Sequence, residues 1–194
     1  MGILSGCAPK PKPPTTLAFY HWKSALDLSP LEQQILDTNQ VDLLYIRLLD
    51  VDWEAGPVPK GVLQAGAHWP SLPFIPTIFI TNRTFEALQP QAMPELAQKI
   101  VKKVRELIPP EQLPKVTGFQ VDCDWTEGTR SIYFDFLAEL KTQLGAPFDQ
   151  SYSATIRLHQ IKYFTRTGVP PVDRGMLMYY NMSPVMDPQT TNSI

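Results

Sequence analysis

The stretch Thr117-Gly118-Phe119-Gln120-Val121-Asp122-Cys123-Asp124 decides the fold. In an extended strand successive side chains point to opposite faces, so Phe119, Val121 and Cys123 share one face while Gln120, Asp122 and Asp124 share the other. The apolar set must pack beneath helices, which leaves the acidic set facing a lumen or a cleft. A doubly wound open sheet is apolar on both faces of its central strands, whereas a (β/α) barrel carries polar residues inward near its C-terminal mouth. The alternation therefore predicts a barrel. No G-x-G-x-x-G follows the first strand and no G-x-x-x-x-G-K-[ST] occurs anywhere, which removes the main nucleotide-binding reasons for an open sheet.

Working outward, short apolar runs alternate with amphipathic helical periods. Strands are expected at Leu17 to His21, Leu43 to Val51, Phe74 to Thr81, Gly118 to Asp124, Ser153 to His159 and Met176 to Asn181. Ser29-Pro30-Leu31-Glu32 is a capping box with proline at the first helical position. Further helices are expected over Met93 to Ile108, with Leu96, Ile100, Val101, Val104 and Leu107 on one stripe, and over Thr129 to Leu144, with Ile132, Phe136, Leu137 and Leu140 inward and Gly145 as C-cap. The segment Trp53 to Leu72 holds three prolines and no helical period, which predicts loop or a short irregular insert. Gln160 to Gly175 offers one or two helical turns. Strand–helix–strand repetition of this kind implies a parallel sheet and a (β/α)8 TIM-type barrel, of which about six strands fall within residues 17–194. A full barrel has eight strands and about 250 residues, so the C-terminal strands are expected to be missing.

The chain has 194 residues, 17 Lys+Arg against 19 Asp+Glu, and 43% apolar side chains. That is one ordinary domain able to bury a core. Near-neutral charge supplies no broad basic face, which argues against nucleic-acid binding. No run approaches the roughly 18 apolar residues of a spanning helix. Two cysteines make no disulfide framework. Leu4-Ser5-Gly6-Cys7 resembles a bacterial lipobox, which implies lipidation of Cys7 and a chain held at the bacterial cell envelope by a lipid anchor. An N-myristoylation reading fails because position 6 is Gly. Residues 8–16, rich in proline and lysine, suit a stiff extended tether.

The Thr117–Asp124 stretch resembles the strand-four signature of family 18 chitinase-like barrels, D-G-x-D-x-D-x-E. Met178-Tyr179-Tyr180-Asn181 is similar to their M-x-Y-D, and Phe19-Tyr20-His21-Trp22 to their aromatic first strand. Asp122-Cys123-Asp124-Trp125 with Arg130 and Tyr133 also resembles bacterial barrel lipoproteins related to that superfamily. The resemblance implies a glycoside hydrolase-like site at the strand C-termini, acting on a glycan that contains N-acetylhexosamine. Asp124 falls on the general acid, Asp122 on the carboxylate that orients the acetamido group, and Tyr180 on the hydroxyl donor opposite. Asp124 is one methylene shorter than the family's Glu, and Gln120, Asn181 and Thr117 stand where the pattern has carboxylates.

Independently of any family, carboxylates at i and i+2 on one strand face hold their Cβ atoms roughly 6.5 to 7 Å apart. Like charges that close, partly desolvated, push one proton affinity up, as a general acid requires. The same D-x-D pair suits a divalent cation in a metal-dependent enzyme, or Asp122 neutralises Arg47 or Arg157 in a purely structural ion pair. Ligand contacts are expected from Trp22, Arg47, Gln120, Trp125, Arg157 and Asn181; Trp22, Trp53 and Trp125 each follow a strand, where sugars stack on aromatic faces. His21 and His159 sit at strand ends without metal-ligand spacing, so no resident metal or other cofactor is expected. Three readings stay open: hydrolysis of a glycan, a non-catalytic barrel that binds a glycan or small molecule or serves cell-surface interaction, and D-x-D metal chemistry.

Overall fold

The computed structural model of the chain describes residues 15–179. Its main sheet carries β1 (Ala18–His21), β2 (Leu43–Trp53), β3 (Phe74–Ile80), β4 (Phe119–Asp122), β5 (Tyr152–Arg157) and β6 (Arg174–Met178), in that spatial order. Each strand pairs in parallel with the next along the chain. One hydrogen bond measures the curvature. In a flat sheet β1 and β4 would lie roughly 14 Å apart, at about 4.8 Å per strand, yet the Tyr20 hydroxyl on β1 donates to Gln120 Oε1 on β4 at 2.6 Å. The sheet therefore curls into half the wall of a TIM-type barrel, with polar side chains on its concave face.

Helices α1 (Pro30–Thr38), α2 (Asn82–Ala87), α3 (Met93–Leu107), α4 (Arg130–Gln143), α5 (Leu158–Lys162) and α6 (Phe164–Thr167) connect the strands. The Ser29 capping box forms as expected: Glu32 N donates to Ser29 Oγ, and Ser29 N to the Glu32 carboxylate. Buried residues Leu96, Ala97, Ile100, Val101 and Val104 of α3, and Tyr133, Phe136, Leu137 and Leu140 of α4, join Phe74, Ile78, Phe119, Val121 and Cys123 from the sheet's convex face in one core. Gly118 allows β4 to approach β5, because a Cβ there would lie 2.3 Å from the Ser151 carbonyl oxygen.

Several details differ from expectation. β4 ends at Asp122 and β5 at Arg157, so Asp124 lies just past its strand and His159 belongs to α5. Tyr133, not Ile132, takes the fully buried place on α4. Leu144, in extended geometry, caps α4, so Gly145 has no left-handed capping role. The expected irregular insert holds a short strand, Pro57–Lys60, antiparallel to the end of β2, and a second, Gln64–Ala65, pairing with Ala25–Leu26. The register of β2 against β3 slips between Arg47 and Leu49. Leu48 is thus the extra residue of a β-bulge, a device that re-aims the side chains beyond it.

Candidate site at the barrel mouth

The bulge sets the first half of the site. Without it Arg47 and Asp50, three apart on a strand, would face opposite sides. With Leu48 looped out, Arg47 pairs with Thr77 and Asp50 with Phe79, both concave-face positions. The two side chains meet there: Arg47 Nε donates to Asp50 Oδ1 at 2.6 Å and Nη2 to Oδ2 at 2.5 Å, a bidentate pair. Arg47 Nη1 also donates to the Trp22 carbonyl at 2.9 Å, tying the end of β1 to β2. Trp22 stacks on Tyr20 with ring centroids 5.6 Å apart and keeps 37% of its surface exposed. Trp22, Arg47, Asp50, Phe79 and Asp122 line a shallow open hollow at the C-terminal ends of β1 to β4. Gly61, with φ of +50°, brings the neighbouring loop against this pair, since a Cβ there would lie 2.2 Å from Arg47 Nη2.

The second half centres on Arg157. Its Nη2 donates to Asp122 Oδ1 at 2.9 Å and its Nε lies 2.5 Å from Asp124 Oδ1, so one guanidinium bridges both carboxylates. Thr155 Oγ1 donates to the same Asp122 oxygen. Asp122 is buried, and burial pushes its carboxyl above the usual carboxylate range while Arg157 and Thr155 pull the other way. Asp124 keeps about half of its side chain exposed, 53%. A divalent cation does not fit the D-x-D pair as arranged, because the guanidinium already occupies the space between the carboxylates and would repel it. Among the described residues no group of three or more His, Cys, Asp or Glu side chains is placed to hold a metal.

Placement separates the expected ligand contacts. Trp22, Arg47 and Asp122 come together at the mouth, with Arg157 and Asp124 beside them. Gln120 is fully buried below, accepting from Tyr20 and donating to Ser153 Oγ at 3.2 Å; it props the aromatic ledge and offers no surface to a ligand. Trp125 is a correction: it is fully buried, its Nε1 donates to the Thr167 carbonyl at 3.0 Å, and it stacks on Tyr133. The parity of β4 already carried this signal, since 125 continues the convex series 119, 121, 123. Tyr180, Asn181 and Cys7 lie outside the described residues. Sequence reasoning missed Asp50, Phe79 and Gly61 as mouth residues. The doublet Leu48-Leu49, where the inward series switches from odd (45, 47) to even (50, 52), marks the bulge that brings Asp50 in.

No family model and no curated protein matches the chain. Among solved structures, the chitinase domain of the spore coat protein CotE from Clostridium difficile aligns with a TM-score of 0.55 over 93% of this chain, at 14% identity. The fold is a TIM-type barrel wall, shared with that domain. This chain spans about half of that one, 54%. A chitinase from Chromobacterium violaceum ATCC 12472 aligns more loosely, with a TM-score of 0.46, 9% identity, and coverage of 88% of this chain and 57% of that one.

Proposed function

We propose that the C-terminal mouth of this barrel binds a glycan containing N-acetylhexosamine and does not hydrolyse it. The observation that carries this reading is the Arg157 bridge. A general acid must present a proton to the glycosidic oxygen, whereas Asp124 Oδ1 is held by the Arg157 guanidinium at 2.5 Å. The hollow beside the bridge supplies what sugar binding needs: a half-exposed indole for a pyranose face and the Arg47–Asp50 pair for hydroxyl and acetamido groups. The chitinase-type fold supports an N-acetylglucosamine oligomer as the first ligand to try.

A second reading, hydrolysis by Asp124 with Asp122 and Tyr180 assisting, is favoured by one observation, the exposed half of the Asp124 side chain at the end of the strand that carries the acid in the resembled family. Titration calorimetry with chitotetraose, paired with a product-release assay, tests both. The expected result is binding without release, weakened at least tenfold by Trp22→Ala. Release abolished by Asp124→Asn would replace this reading with the hydrolytic one. We further propose that Cys7 is lipidated and tethers the barrel to the cell envelope. Detergent partitioning of the full-length protein should be lost in Cys7→Ser, and unchanged partitioning would refute it.

A further inference from the structure

A second hollow lies past the C-terminal ends of β4 and β5. Asp124 and Arg157 each continue directly into segments that form it: Thr126 and Glu127 follow the first, His159 and Tyr163 the second, and Arg166 and Thr167 of α6 close it. Its rim is rich in positive charge. Arg166 pairs with Glu127 at 2.7 Å, Arg130 Nη1 donates to the Arg166 carbonyl at 2.8 Å, and the Lys162 ammonium lies 5.4 Å from the Tyr163 ring centre. The Arg166 guanidinium also lies 6.0 Å from that ring centre, so Lys162 and Arg166 meet at Tyr163 with Glu127 beside them. His159 adds an independent mark. Its Nδ1 is buried with no hydrogen-bond partner among the described residues, an orphan of the kind that a ligand or water group satisfies.

We propose that this hollow is a subsite for the acidic substituent of a charged glycan, an inference that rests on the glycan reading above. The ligand then runs across the Arg157 bridge, with a sugar ring against Trp22 and a carboxylate among Lys162, Arg166 and Arg130. Its class is an N-acetylhexosamine oligosaccharide bearing carboxylates. Glu127 acts as a stand-in that holds Arg166 until the ligand carboxylate competes for it.

The test compares two tetrasaccharides by calorimetry on the full chain: chitotetraose, and the alternating N-acetylglucosamine–N-acetylmuramic acid tetramer, whose lactyl ethers add carboxylates. The acidic tetramer should bind about fivefold more tightly at low salt, and the gap should close as salt screens the rim. Lys162→Gln combined with Arg166→Gln should bring the affinity ratio close to one, and Glu127→Gln should widen it by freeing Arg166. Equal affinities in the wild type, or a ratio that survives the double substitution, would overturn the subsite and leave the glycan reading standing. Failure of both tetramers to bind would overturn the glycan reading and the subsite together. Salt-sensitive binding to anionic lipid vesicles, lost in the double variant without any carbohydrate preference, would reassign the rim to a membrane surface.

Discussion

Replacing Arg157 by Met should unmask the charge that it neutralises. Asp122 sits buried with one oxygen shared by Thr155 and Arg157, so Arg157→Met leaves a buried carboxylate with a single hydroxyl donor. Breaking a buried pair in this way costs about 3–5 kcal/mol, and for a domain of this size that lowers Tm by roughly 10 °C. The pH dependence has a defined sign. Burial already raises the folded-state pKa of Asp122 above its unfolded value. The native state therefore holds the extra proton, and stability falls as pH rises from the unfolded pKa, about 3.9, through the folded one. Removing Arg157 moves that upper limit further up, so the deficit of Arg157→Met should be larger at pH 7.5 than at pH 5. Adding Asp122→Asn removes the charge and keeps the shape, and should recover at least half of the loss. The assay is urea unfolding of wild type, both single variants and the double variant at the two pH values. A loss under about 1 kcal/mol for Arg157→Met, or no recovery in the double variant, would refute the account of Arg157 as the bridge of the mouth.

Two further substitutions separate the mouth from the core. Gly61→Ala places a Cβ 2.2 Å from Arg47 Nη2 at a φ of +50°; the flexible guanidinium should yield, at a backbone cost of about 1 kcal/mol, and chitotetraose affinity should fall about tenfold by calorimetry. Trp125→Ala should cost about 3–5 kcal/mol in urea unfolding, with any surviving folded protein binding glycan as wild type does, because Trp125 packs on Tyr133 and not in the mouth.

The parts of this fold that rest on local pattern were legible in the sequence. Alternation along Phe119–Asp124 separates the convex core from the polar concave face, and Ser29 with Glu32 announces the start of α1. What depends on distant pairing was less so. The bulge at Leu48 is defined by register against β3, and a sequence window shows only the Leu48-Leu49 doublet. The choice of Arg157 over Arg47 as partner of Asp122 is set by strand pairing, which places β5 directly beside β4 while the bulge commits Arg47 to Asp50. Strand ends were overestimated at both Asp124 and His159, because polar alternation continues past the last ladder hydrogen bond.

The most direct measurement is a crystal structure of the full chain soaked with chitotetraose. An N-acetylglucosamine ring should lie against the Trp22 indole, its substituents within hydrogen-bond distance of Arg47 and Asp50, with Arg157 still bridging Asp122 and Asp124. A tetramer bound away from Trp22, or an Asp124 carboxyl released from Arg157 and directed at a glycosidic oxygen, would contradict that arrangement.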